Sequence, residues 1–232
     1  MNPDAAPPAT TPVRVWDLPT RLFHWLLAAT VIGSVASGQI GGNAMVWHIR
    51  LGLVALALLV FRVVWGFAGG YWSRFASFVY GPASVLAYLR GDAGPGGRYE
   101  IGHSPVGALA VWAFLGLLAL QVATGLVADD EIATTGPLNR FVSSATASLA
   151  SGWHAEVGKT VLIILVLMHI AAVVYYLVKR KRNLIPSMIH GDVDLPPSAP
   201  ASQDGASRRL LALAVILGAA ALAWWVGSLA TV

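Results

Sequence analysis

Six histidines stand in this chain: His24, His48, His103, His154, His169 and His190. Four of them, His24, His48, His154 and His169, fall inside or at the very ends of long apolar runs. Ionisable side chains are expensive in such surroundings and mark function by default. His154 and His169 share one run, 15 residues apart. On a regular helix that is about 22 Å along the axis and about 60° around it, so both can face one interior at two depths. His48 lies at the depth of His154 and His24 at the depth of His169. The pattern is an outer pair, His48 with His154, and an inner pair, His24 with His169. Each level offers two imidazoles from different segments, the ligand set for a haem b held by two axial histidines without a covalent bond. Zinc would need four ligands, and no carboxylate stands inside the runs beside His24 or His169. The chain has no cysteine, which excludes disulfides, thiolate metal sites, iron–sulfur clusters and covalently attached haem. Two haems stacked in this way would form an electron path across a membrane.

The segments that must position these histidines are membrane spans. Of 232 residues, 56% are hydrophobic and 11% charged, against roughly one quarter charged in a soluble domain. Five stretches, about 22–40, 45–67, 106–127, 153–178 and 210–232, meet the length of about 20 apolar residues that a bilayer span needs. The first is longer than a signal core and lacks a small-residue cleavage site, so it reads as a retained helix. The predicted fold is all-α: an integral membrane four-helix di-haem bundle with one accessory C-terminal helix. Residues 1–15 read as a flexible tail, 16–192 as the core, 193–207 as a linker and 208–232 as the fifth span. That span carries no histidine.

Charge sets the orientation. The net charge is +4, but the basic residues cluster in alternate loops rather than on a nucleic-acid-binding face, so no nucleic-acid partner is expected. With a cytoplasmic N-terminus, the inner side collects Arg14, Arg21, Arg62, Arg74, Arg90, Arg98, Lys179, Arg180, Lys181, Arg182, Arg208 and Arg209, and only Arg50, Arg140 and Lys159 fall outside. That places the C-terminus on the outer face. The inner stretch 71–90 is aromatic and moderately amphipathic, broken at Gly81-Pro82, and reads as short helices at the membrane surface. Gly94-Pro95-Gly96-Gly97 reads as a turn. The outer loop 128–152 holds Asp129-Asp130-Glu131 and room for one short helix.

Small residues one turn from the histidines, Ala28, Gly52 and Gly158, leave space for a porphyrin edge, and Gly33, Gly116 and Gly125 can do the same. Haem propionates call for cations. Arg21 at the inner level and Arg50 at the outer are the nearest candidates, followed by Arg62 and Arg74.

The opening Val15-Trp16-Asp17-Leu18-Pro19-Thr20-Arg21-Leu22-Phe23-His24-Trp25 closely resembles the start of bacterial cytochrome b561, the family that includes the b-type cytochrome subunit of nickel–iron hydrogenases. Gly102-His103-Ser104-Pro105-Val106-Gly107 is similar as well. So is the region from His154 to His169 followed by Asn183-Leu184-Ile185-Pro186-Ser187-Met188-Ile189-His190-Gly191. The resemblance covers about residues 13–192. It implies a four-helix core in the bacterial inner membrane that exchanges electrons between periplasmic redox partners and membrane quinone, ubiquinone being the candidate. It carries the haem ligands onto His24, His48, His154 and His169. His103 and His190 fall in the family motifs as candidates to border a quinone or move its protons. The leading expectation is an electron carrier served by a periplasmic c-type cytochrome or hydrogenase-like protein, with the acidic triplet docking a basic partner. The alternatives are a self-contained quinone oxidoreductase such as a superoxide oxidase, and a membrane-anchoring cytochrome subunit of a hydrogenase-like complex.

Overall fold

The computed structural model describes residues 10–91, 101–130 and 134–230. Glu131 and the Gly94–Gly97 turn lie outside them. Among the described residues five helices are long and apolar enough to cross a bilayer, as the sequence predicts.

Helix α1, Leu18–Ile40, begins at Asp17, whose carboxylate accepts from the Thr20 N–H at 2.8 Å, with Pro19 in the first turn. This is a standard N-cap geometry. α1 ends at Gly41, where φ is +66°, and a single 3₁₀ turn at Gly42–Ala44 leads into α2, Met45–Ala68. So short a connection makes α1 and α2 antiparallel neighbours.

After α2 the chain makes two 3₁₀ turns, Tyr71–Ser73 and Phe75–Ser77, and a short helix, α3, Pro82–Arg90. The sequence places these aromatics at the membrane surface. Instead Trp72, Phe75 and Phe78 are buried, and Phe75 and Phe78 pack on Ala108 at the start of α4, Pro105–Val127. They close the inner end of the bundle because Gly66 has no side chain and Phe75 fills the space a Cβ would take. Tyr88 on α3 hydrogen-bonds Tyr176 at 2.5 Å, tying this segment to the fourth span.

That span is compound. Helix α5, Ser144–Gly152, runs into a π-helical turn at Trp153–Gly158 and then into α6, Lys159–Val178. At 1.5 Å per residue its 35 residues extend about 52 Å, longer than the about 30 Å of hydrocarbon that a span must cross. Helix α7, Ile185–His190, follows. The last helix, α8, Ala206–Ser228, lies against α1 and α2: its Ala212, Ala219 and Ala223 join Phe23, Leu58, Phe61 and Trp65 in one core. Small residues at such a contact let helix backbones approach closely in lipid.

The tail and linker differ from expectation. Strand β1, Thr11–Arg14, pairs antiparallel with β2, Asp192–Leu195, in register Thr11↔Leu195 to Arg14↔Asp192. Residues 11–15 are therefore not a flexible tail. The linker is stitched down too: Ser202 donates its N–H to the Arg14 carbonyl and its hydroxyl to the Val15 carbonyl, both at 2.7 Å, and Trp72 donates its indole N–H to the Pro200 carbonyl. These bonds give the buried backbone groups of both segments partners neither has alone.

Candidate functional site

The outer pair sits where α2 begins and the fourth span turns π-helical. His48 Nε2 and His154 Nε2 are 3.4 Å apart, with ring planes at 85°. His48 Nδ1 lies 2.9 Å from the Ser34 carbonyl, and His154 Nδ1 2.8 Å from the Gln121 carbonyl. A carbonyl only accepts, so both Nδ1 atoms must carry the proton. A neutral ring of that tautomer has a bare lone pair on Nε2, and the two lone pairs face each other. They cannot hydrogen-bond; the arrangement suits an electron-poor centre between them. Hydrogen bonding of Nδ1–H to a carbonyl is also the usual means by which a metal-ligating histidine is oriented. His48 Nε2 and His154 Nε2 would hold a metal centre seated between the two rings.

Two glycines make room for the rings. A Cβ on Gly38 would stand 3.0 Å from His48 Nδ1, and one on Gly125 would stand 2.7 Å from His154 Cε1. The π-helical turn alters the backbone at His154, whose carbonyl accepts from the Gln121 side-chain amide at 2.7 Å. Wide turns of this kind are common at functional sites. Residues 154–169 are therefore not one regular helix, as their spacing alone predicts, and Gln121 joins the site unannounced by that spacing. The legible signal was a lone amide in an apolar span.

The inner pair is looser. The His24 and His169 rings are 6.3 Å apart between centroids and inclined at 54°. Among the described residues His24 Nδ1 is buried without a hydrogen-bond partner, and His169 stands edge-on to Phe114 at 5.8 Å. Between the two levels, Leu59, Leu118 and Leu162 form an apolar layer with Leu27, Val31, Phe114 and Val166. Among the described residues no three His, Cys, Asp or Glu side chains converge as they would around a chelated metal ion.

The other expected residues are scattered. Arg21 donates to the Ile189 carbonyl and lies 4.0 Å from Asp204. Arg50 is exposed, with its guanidinium 5.1 Å from the Trp47 ring. Asp130 accepts from the Thr134 N–H, while the Asp129 N–H is held by Ser151. His190 is exposed; its carbonyl accepts from Arg14. His103 lies between Phe78 and Trp16, at 4.4 and 4.8 Å, and burial, aided by the Arg62 charge, pushes its pKa down to about 3. It is neutral at physiological pH and a poor proton carrier there.

A sequence model of prokaryotic cytochrome b561 matches residues 15–191, so the chain belongs to the prokaryotic cytochrome b561 family. It is a membrane-embedded helical protein of an electron-transfer class, and α8 lies beyond the matched segment. Two similar proteins are named as probable Ni/Fe-hydrogenase B-type cytochrome subunits. The one from Bradyrhizobium diazoefficiens is 23% identical over 215 residues, covering 78% of this chain and 85% of the relative. The one from Azotobacter vinelandii is 23% identical over 214 residues, covering 78% and 88%.

Proposed function

We propose that this chain passes electrons across the bacterial inner membrane through two haems b, and that it does so as the membrane cytochrome subunit of a hydrogenase-like complex. His48 and His154 hold the outer haem; His24 and His169 hold the inner one. The observation that carries the reading is the outer pair: two Nε2 atoms 3.4 Å apart, each with its ring proton committed to a carbonyl on the far side. When bound, haem supplies a one-electron iron couple. The protein supplies everything that fixes it. Ser34 and Gln121 set the tautomers of the outer ligands, Gly38 and Gly125 admit their rings, and the Leu59–Leu118–Leu162 layer keeps water out of the space between the levels.

Of the three roles expected from sequence, the complex-subunit role has the support of both relatives' names. The cluster of basic residues in alternate loops supports a cytoplasmic N-terminus and a periplasmic outer haem. Electrons then enter from a periplasmic redox subunit and leave to membrane quinone at the inner side.

The test is purification of the tagged chain from its native membranes in mild detergent. The expected product holds two haems b per chain, brings a large periplasmic redox subunit with it, and is reduced when hydrogen is supplied. A chain that purifies alone and is reduced only by a soluble c-type cytochrome is a stand-alone carrier instead.

A further inference from the structure

Arg62 is a charge in the wrong place. It lies on α2 inside the second span and is 4% exposed, yet its Nη1 is buried without a hydrogen-bond partner and no ion pair forms to it among the described residues. Its guanidinium stacks over Phe75 at 4.8 Å and reaches Phe78 at 5.9 Å. Asp17, whose charge is felt at Arg62, is already saturated: its oxygens accept from Thr20 N, Gly70 N, Ser73 Oγ and Trp65 Nε1. A buried cation with no direct ion pair, beside an Asp17 carboxylate already committed to four donors, is unfavourable, and it points to a further anion at this place.

The position of Arg62 says where that anion belongs. Arg62 is fourteen residues beyond His48, about 21 Å along α2, while His169 is about 22 Å beyond His154. Arg62 thus stands near the depth of the inner pair. Lipid phosphates stay at headgroup depth, and free anions do not enter hydrocarbon. A carboxylate carried in on a group seated at His24 and His169 fits both the charge and the place, and guanidinium is the side chain best matched to carboxylate.

We propose that Arg62, not Arg21, holds a propionate of the inner haem. Arg21 differs from Arg62 in being paired: although its Nε is also buried without a hydrogen-bond partner, its guanidinium holds the Ile189 carbonyl and faces Asp204. The proposal rests on the two-haem reading above, and the experiment separates the two.

Full-length Arg62→Gln, Arg62→Lys and His169→Ala variants are purified in detergent, and haem-to-protein ratio and redox titrations are recorded for each. Removing a positive charge near a haem favours its oxidised form. In Arg62→Gln, the haem that His169→Ala removes is expected to titrate at lower potential or to be lost, the ratio falling from two toward one, while the other haem is unmoved and certifies the fold. Arg62→Lys is expected to keep both haems, with a shift in the propionate bending bands of the resonance Raman spectrum. Should Arg62→Gln fail to accumulate, that band decides: an unshifted band overturns the proposal. Two haems at unaltered potentials in Arg62→Gln, or a shift confined to the haem that survives His169→Ala, also overturn it. A wild-type chain with fewer than two haems overturns the two-haem reading instead.

Discussion

Gln121 holds His154 at two points: its backbone carbonyl accepts the imidazole Nδ1–H at 2.8 Å, and its side-chain amide donates to the His154 carbonyl at 2.7 Å. One residue of α4 thereby fixes both the ring and the backbone of a residue in the π-helical turn. Only the second bond depends on the side chain, so substitution can separate the two. Gln121→Leu leaves the His154 carbonyl without its donor, which costs about 1–3 kcal/mol for a buried group. Of two low-spin haem signals in electron paramagnetic resonance, the outer one is expected to shift and the inner one to stay. Two unchanged signals would show that the ring bond alone suffices.

Gly125 tests the fit of the same ring by volume. A Cβ there would lie 2.7 Å from His154 Cε1, so Gly125→Ala must displace the imidazole. The expected outcome is a chain holding about one haem fewer, read from the haem-to-protein ratio. Gly218→Ala on α8, where nothing lies within 4 Å of the added Cβ, is the matched control and should keep full loading. Alanine there should add up to about 1 kcal/mol of helix stability.

Asp17 ties the start of α1 to the end of α2 and the loop beyond. It is fully buried and accepts from four separate donors, from Thr20, Trp65, Gly70 and Ser73. Loss of an N-cap alone costs about 0.5–2 kcal/mol, and each orphaned buried donor adds about 1–3 kcal/mol. Asp17→Ala should therefore destabilise by more than a lost cap, measured as the midpoint of thermal unfolding in detergent. A loss no larger than that of Ser104→Ala, which removes the cap of α4 and a side-chain contact with Tyr88, would mean the other bonds add nothing.

His103 gives an acid limb to stability. Its folded pKa is about 3, lowered from 6.5 first by burial and then by the Arg62 charge. Between those values the unfolded chain binds the proton and the folded chain does not, so the contribution is intact above about pH 6.5 and is lost as pH falls toward 3. The slope from this one group is at most about 1.4 kcal/mol per pH unit. His103→Phe should flatten the fall in unfolding midpoint across that window, and an equally steep fall in the variant would assign it to other groups.

The histidine pairs were legible because an ionisable residue in an apolar run has few reasons to be there, and because helix geometry converts spacing into depth. The five spans were legible for the same reason, by length and lack of charge. The β1–β2 pairing was not: four-residue strands carry almost no periodic signal, and Arg14 and its partner Asp192 are separated by nearly the whole core. The inward turn of Phe75 and Phe78 was hidden because an aromatic residue suits both a membrane interface and a buried floor, and only Gly66 and Ala108 opposite them decide which. Arg62 was legible as a basic residue near the inner face, but its burial depends on the loop that folds back over it. The role of Gln121 depends on a π-helical turn that no local sequence pattern announced.

The most direct test of the two-level ligand map is the pyridine haemochrome ratio of the purified chain, measured for the wild type and for His48→Ala and His169→Ala. The account predicts two haems b per chain in the wild type, about one in each variant, and different surviving spectra in the two. A colourless protein, or a ratio unchanged by either substitution, would contradict it.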